Sequence, residues 1–429
     1  MSIEVIDYVC ADFVMVVAMA RSRPTPDGGI RRRPKDRKAQ IARASAEAFS
    51  ALGYHAVSME AIAERVGISA TALYRHYPSK YDLFRDAVLA LGEQLVECTA
   101  FVDETPADSG SLRRLITALT DTALANRDSG GLYRWEARYL RGDDQTTLDG
   151  QLRTVNRRIH RPLMAIRPEL SSRQRWLLSS SMLSVIGSIV DHHAQLPAVH
   201  IRAVLAEIAT AISTADVPDP PDMSLAAAER RGTRVDPSKY EALLTESVLL
   251  FNRKGYRDTT MEEIASAVGI PTSGIYRYFS GKNDILAAIY RRAADRLSSE
   301  ASSILGSFSD PEVALTALID AYVARSFAHP ELAYVYYTER ANMAAADQRI
   351  LRNLQRATVE SWVRLVVAIR SDWTLGQARF AVHAAMALVV DVGRLVDYDD
   401  SVQSRATVGR LLDLTLLGRY RLRTTSPAR

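Results

Sequence analysis

Cysteine is almost absent from this chain. Cys10 and Cys98 are its only two cysteines in 429 residues, too few and too scattered for a disulfide framework or a cysteine-based zinc site. A reducing cytoplasm is the compartment that fits. Glycine (21) and proline (16) are also sparse, which argues against a turn-rich all-β chain. No stretch is expected to be long and apolar enough to cross a bilayer, which demands about 20 residues. Val9 to Ala20 comes nearest, but Asp12 interrupts it. Glu4 and Asp7 stand where a signal peptide carries positive charge. Residues 1–29 therefore read as a poorly ordered extension, and no membrane partner is expected. What is present is ordinary: 47% hydrophobic and 24% charged residues, with a mean hydropathy of −0.09. These figures exclude a fibrous, a disordered and a polytopic membrane protein.

Charge is unevenly placed. Nine Lys and Arg fall between Arg21 and Arg43, among them Arg31, Arg32, Arg33 and Lys35, against Asp27 and Asp36. The rest of the chain is slightly acidic although the net charge is +4. Such an arm suits a polyanion; a solvated charge run is the plainer alternative.

The chain also repeats itself. FSALGYHAVSMEAIAERVGISATALYRHYPSKYD (Phe49 to Asp82) aligns without a gap on FNRKGYRDTTMEEIASAVGIPTSGIYRYFSGKND (Phe251 to Asp284), at a constant offset of 202 residues. That period is too long for a solenoid and marks a duplicated unit. A Pro- and Asp-rich spacer, Asp216 to Asp222, followed by a polar run to Pro237, separates the copies.

Each copy reads as helical. Apolar residues recur at three and four, as in Ile41, Ala44, Ala48 and Leu52. Gly53 and Gly255 follow the first helix, where a C′ glycine belongs. Ser58 and Thr260 open the second helix, Thr260 with Glu263 in capping-box spacing. Gly67 and Gly269 end it, and Ser69 or Pro271 opens a third. Two short helices about a tight glycine turn make a helix-turn-helix. A plain αα-hairpin is the alternative. The basic arm and a third helix bearing Tyr, Arg, His and Lys favour DNA.

The strings GISATALYRHYPSKYDLF and GIPTSGIYRYFSGKNDIL resemble the DNA-binding region of the tetracycline-repressor (TetR) family, through Gly-x5-Leu/Ile-Tyr-x2-Phe/Tyr-x2-Lys. With RRRPKDRKAQI upstream, the first also resembles the tandem regulators found beside mycobacterial lipid-import and lipid-catabolism operons. The resemblance implies an all-α fold of two tandem units, each a helix-turn-helix headpiece plus a helical ligand-binding and dimerisation domain. The expected division is 30–92 and 93–215 for the first unit, a linker at 216–235, then 236–294 and 295–429. It further implies a non-enzymatic, cytoplasmic transcriptional regulator without cofactor or metal. The expected mode is a repressor released by a small hydrophobic, lipid-like effector, with one chain acting as its own pseudo-dimer. Tethering would give each half an effective concentration of ~mM for the other.

Carried onto this sequence, the family's phosphate-contacting pair falls on Tyr74 and Lys80, and on Tyr276 and Lys282. Ser58 and Thr260 match its capping hydroxyl. Base contacts would come from Ser69, Ala70, Thr71, Arg75 and His76, and from Thr272, Ser273, Arg277 and Tyr278. Arg75 and Arg277 are the natural readers of guanine, because a guanidinium fork matches O6 and N7. Each has a structural alternative: the tyrosines as packing, the hydroxyls as caps. The copies differ at Ala70/Thr272, Thr71/Ser273, Ala72/Gly274 and His76/Tyr278, so two dissimilar operator half-sites are expected. An effector pocket is expected near Tyr133, Trp135 and Arg138, and near Tyr334, Tyr337 and Arg340; aromatics at helical spacing are otherwise core. Asp191-His192-His193 and His200 do not read as a metal site, since adjacent helical side chains diverge by about 100°. The rival readings are a ligand-binding or protein-docking module with one working headpiece, and an all-α lipid enzyme. For the second, no Walker loop, dinucleotide glycine pattern, Gly-x-Ser-x-Gly, His-Glu-x-x-His or Cys-x-x-Cys occurs.

Overall fold

The computed structural model describes residues 34–219 and 238–419, apart from the side chains of residues 34–36. Among these residues every regular element is helical. The chain divides into two compact units, Met1–Gln40 and Ile41–Arg429. The first contributes only the opening of α1 (Pro34–Leu52). Arg31, Arg32, Arg33, the expected extension 1–29 and most of the expected linker lie outside the described residues, as does the Lys35 side chain.

In the second unit the first repeat continues through α2 (Met59–Val66), α3 (Ala70–His76), α4 (Lys80–Thr99), α5 (Ser109–Ala125), α6 (Asp143–Ile166), α7 (Ser172–Gly187) and α8 (Ala198–Ser213). The second repeat holds α9 (Lys239–Lys254), α10 (Met261–Ala267), α11 (Thr272–Ile275), α12 (Lys282–Ser307), α13 (Pro311–Ala328), α14 (Pro330–Glu339), α15 (Ala345–Ile369), α16 (Leu375–Leu395) and α17 (Val402–Leu417).

Local chemistry sets the boundaries. The hydroxyls of Ser58, Ser69 and Ser79 each accept from a backbone N–H in the first turn of the helix they open. Thr260 with Glu263 closes the expected capping box, and Ser171/Gln174 and Thr374/Gln377 do the same for α7 and α16. Such caps contribute about 1 kcal/mol each. Gly67 ends α2 at φ 69°, ψ 38°, a left-handed conformation costly for any residue with a Cβ.

Burial follows the apolar periodicity. In the first repeat Phe49, Ile62, Leu73, Leu83, Phe84 and Val88 form one fully buried cluster, and Phe251, Ile264, Ile275, Ile285 and Leu286 form its counterpart. A third cluster is shared by both repeats. It takes Leu178, Met182 and Val185 from α7, Leu205 and Ile208 from α8, Ala381, Ala385 and Leu388 from α16, and Leu412 and Leu416 from α17. Helix α7 packs on α16 and α8 on α17, giving a four-helix bundle with two helices from each repeat. Small alanines on α16 let its neighbours approach closely.

One expectation is corrected here. Helix α16 is long and apolar enough, by length and composition, to cross a membrane, with a hydropathy of 1.3 over its best window. Yet 67% of that window is buried within the protein, so packing against α7, α15 and α17 accounts for its apolar character.

Candidate nucleic-acid interface

In the first repeat the turn between α2 and α3 is closed by two backbone bonds. Gly67 N–H donates to Glu64 O at 3.1 Å and Ile68 N–H to Ala63 O at 3.0 Å. Leu73 and Tyr77 point inward and are buried. That orientation leaves Thr71, Tyr74, Arg75 and His76 on the outer face. Tyr74 is 47% exposed, which argues against the packing alternative. Ala70 is half-buried. Ser69 is exposed, but its hydroxyl is engaged as a cap, accepting from Ala72 N–H at 3.1 Å. Ser58 caps α2 in the same way, from Ala61 N–H at 3.1 Å.

The second repeat matches this geometry only in part. Tyr276 and Tyr278 are 54% and 44% exposed, and Ser273 and Arg277 are exposed beside them, with Thr272 half-buried. The helix beneath them is shorter: α11 stops at Ile275, whereas α3 runs seven residues. Pro271 opens α11 without a side-chain cap, and Gly274 lies inside it. Thr260 is committed to its capping box, its N–H donating to Glu263 Oε2 at 3.0 Å.

Lys80 and Lys282 are engaged with the backbone of their own headpieces. The Lys80 ammonium donates to Tyr54 O (3.0 Å), His55 O (3.4 Å) and Val57 O (3.1 Å). Lys282 does the same to Tyr256 O (2.8 Å), Arg257 O (3.0 Å) and Thr259 O (2.6 Å). Three donors meet three carbonyls, so neither ammonium has an N–H left to offer a phosphate. Burial lowers the pKa of both. These lysines clamp the turn that precedes the second helix of each headpiece. Lys80→Met, which keeps the stem and removes the donors, is expected to destabilise the first headpiece by about 2 kcal/mol. Hydrogen exchange of the α1–α2 turn reads this directly; unchanged protection would contradict the clamp.

The aromatic segments also part from expectation. Trp135 stacks on Tyr337 of the other repeat, with ring centroids 4.1 Å apart and 5° between planes. Its Nε1–H donates to Asp191 Oδ1 at 2.7 Å. Arg138 pairs with the buried Glu339 at 2.8 Å. Arg394 lies over Trp135 and Tyr334, 5.1 and 4.9 Å from their centroids. Arg340 is exposed beside Tyr336. Trp135, Arg138, Tyr334 and Tyr337 thus build the seam between the repeats. Of the expected pocket residues, Tyr133 lines a cavity of about 460 Å³ in the first repeat.

That cavity is walled by Leu95, Leu119, Leu183, Ile186 and Trp176, with Asn156, Ser180, Ser184 and Arg134 as polar lining. Asp391 of the second repeat also lines it. Arg134 binds Asp191 at 3.1 Å and Asp391 at 2.9 Å. Burial opposes its charge, but the two carboxylates outweigh burial and hold its proton above the ordinary arginine range. Ser184 Oγ donates to the same Asp391 at 2.7 Å. Gly187 makes room for the guanidinium, which would collide with a Cβ there. Sequence reasoning missed Arg134 and Asp391. A lone aspartate in the otherwise apolar stretch 384–393 was the available signal. Among the described residues no cluster of metal-ligating side chains occurs.

The signature of the bacterial regulatory proteins of the tetR family matches the chain twice, at residues 41–87 and 243–289. The transcriptional activator FasR of Mycolicibacterium smegmatis is 42% identical over 71 residues, which are 16% of this chain and 32% of FasR. The transcriptional repressor KstR2 of Rhodococcus jostii is 30% identical over 128 residues, 29% of this chain and 62% of KstR2. The matches therefore span about a third and under two thirds of these relatives. Among solved structures, the ketosteroid transcriptional regulator KstR2 of Mycobacterium tuberculosis is 20% identical with a TM-score of 0.38, over 44% of this chain and 98% of that one. AibR, solved with isovaleryl coenzyme A and operator DNA, is 15% identical with a TM-score of 0.37, over 42% and 98%. The tetR-family signature thus falls on both helix-turn-helix segments, once in each repeat of the chain.

Proposed function

We propose that this chain is a cytoplasmic, sequence-specific transcriptional regulator that binds double-stranded DNA as a single-chain pseudo-dimer. The observation that carries this reading is the shared bundle core of α7, α8, α16 and α17, which gives one polypeptide the partner surface that separate protomers would otherwise supply. Arg134–Asp391 and Trp135–Tyr337 tie the same two repeats together outside the bundle. The chain is organised as headpieces 30–92 and 236–294, helical regulatory parts 93–215 and 295–429, and a linker at 216–235. Tyr74, Arg75, His76, Thr71, Tyr276, Arg277, Tyr278 and Ser273 face the duplex, with the basic arm adding phosphate contacts. The operator has two dissimilar half-sites.

The regulator works as a repressor released by a small hydrophobic effector. A cavity of about 460 Å³ falls within the range of small-molecule sites. Its leucines suit an apolar body, and Arg134, Asn156 and Ser180 suit a polar end such as a carboxyl, hydroxyl or thioester carbonyl. Induction is then a population shift toward a headpiece spacing that misfits the operator.

Footprinting the full chain on its own upstream region tests the reading. Two protected half-sites support it; no protection at low salt overturns it. Tyr74→Phe removes one exposed hydroxyl and no packing. It is expected to weaken binding about fivefold on specific and scrambled duplex alike, as a phosphate contact of about 1 kcal/mol would. A loss confined to the specific sequence would contradict a phosphate role.

A further inference from the structure

We infer that the two headpieces divide their labour: the Thr71–Arg75–His76 face of α3 discriminates bases, while the second headpiece grips the duplex with little discrimination. This rests on the DNA-binding reading above. Three differences between the copies carry it.

The first is helix geometry. Arg75 and His76 lie inside a regular helix that Ser69 caps. Arg277 and Tyr278 lie beyond the end of α11, where Arg277 N–H reaches Gly274 O (3.3 Å) and Tyr278 N–H reaches Ile275 O (2.9 Å). Those three-residue spacings belong to a 3₁₀ turn, which advances about 120° per residue, not 100°. Arg277 therefore leaves the surface in a different direction relative to Ser273 than Arg75 does relative to Thr71. A bidentate guanidinium contact depends on that direction.

The second is backbone freedom. Gly274 stands where the first repeat has Ala72, and Pro271 stands where it has the capping Ser69. Glycine weakens a helix relative to alanine, and a single uncapped turn has little to set against that. A reading element whose side chains wander in direction contacts DNA without selecting among bases.

The third is charge. The N-terminus of α10 holds Glu262 and Glu263, and the Glu263 carboxylate already accepts from Thr260 N–H at 3.0 Å and pairs with Lys254. The first repeat has Ala61 at the position of Glu263. The first turn of α2 keeps one acidic residue, Glu60, where α10 has two, so a phosphate approaching the second headpiece at that point meets one carboxylate more. What the second headpiece offers instead is two exposed phenols, Tyr276 and Tyr278, suited to sugar and phosphate edges, which carry no sequence information.

The test is selection of bound duplexes from a randomised pool by the full chain, followed by Arg75→Ala and Arg277→Ala on the selected duplex and a scrambled one at fixed salt. Both arginines are exposed, so neither change threatens the fold. The expected selection shows strong base preference in one half-site only. Arg75→Ala should cut the specific-to-scrambled affinity ratio about tenfold or more, whereas Arg277→Ala lowers both affinities by a similar factor and leaves the ratio within about twofold. Pro271→Ser combined with Gly274→Ala should sharpen the weak half-site. Equal preference in both half-sites, or an equal loss of ratio in the two arginine variants, overturns the inference and leaves the regulator reading standing. A wild-type chain that prefers no duplex over scrambled DNA overturns both.

Discussion

Replacing Arg134 by alanine is expected to lower the unfolding free energy by about 3–5 kcal/mol, the usual cost of stripping a buried ion pair of one partner. The guanidinium is the only cation that the structure places within ion-pairing distance of both Asp191 and Asp391 among the described residues, at 3.1 and 2.9 Å. Trp135 Nε1–H and Ser184 Oγ–H would remain as donors to the two carboxylates, each at 2.7 Å. Hydrogen bonds from neutral donors offset only part of two stranded charges. Because Asp391 belongs to the second repeat, the loss should appear as weakened coupling between repeats as well as a lower denaturant midpoint. Asp391→Asn, which keeps a group of the same shape, should cost less than Arg134→Ala. A loss under about 1 kcal/mol in Arg134→Ala would mean that the bundle alone holds the repeats together.

The second large effect is an acid-dependent loss of stability centred on His383. Its ring stacks on His192 of the first repeat, with centroids 4.0 Å apart and planes 11° from parallel. Burial first, then Arg379 and Arg127, push the His383 pKa down to about 4, with Glu360 opposing. Burial, His383, Arg127 and His193 hold His192 well below the ordinary range. Phe380 meets His192 edge-on, and Arg127 donates to the His192 carbonyl at 3.0 Å. Both imidazoles are thus neutral when folded, while the unfolded chain takes up their protons near pH 6.5. Between pH 6.5 and 4 the unfolded state binds more protons, so stability falls as pH falls. For His383 alone the integrated loss is about 3 kcal/mol. Glu136 acts in the opposite sense, because burial raises its carboxyl and its folded form gains protons in the acid range. The diagnostic is therefore a difference: His383→Phe should flatten the pH 4–6.5 slope of the wild-type stability curve. A slope unchanged by that substitution would place the acid sensitivity elsewhere.

Legibility in the sequence tracked the distance over which each interaction acts. The duplicated helix-turn-helix, its caps at Ser58 and Thr260 and its glycine turns were readable because each depends on residues within one or two turns of helix. The exposure of Tyr74 followed from the same periodicity that buries Leu73 and Tyr77. The clamp made by Lys80 is not legible in the sequence because its acceptors lie 23 to 26 residues upstream, and no local pattern shows a turn folding back over an ammonium. For Trp135 and Tyr337 the sequence leaves pocket wall and core packing both open, since an aromatic carries the same helical spacing whether it lines a cavity or meets a ring 202 residues away. In the first repeat that segment is a π-type turn, Leu132–Glu136, whereas the second repeat makes α14 there. The strong match between copies also hid a difference. Gly274 is visible in the sequence, yet the matching motif gives no sign that α11 is shorter than α3.

The most direct measurement of the central claim is the native mass of the chain bound to its footprinted operator. One chain of 47.4 kDa per duplex, with both half-sites protected, is the result this account predicts. Two chains on that duplex, each protecting one half-site, would contradict it.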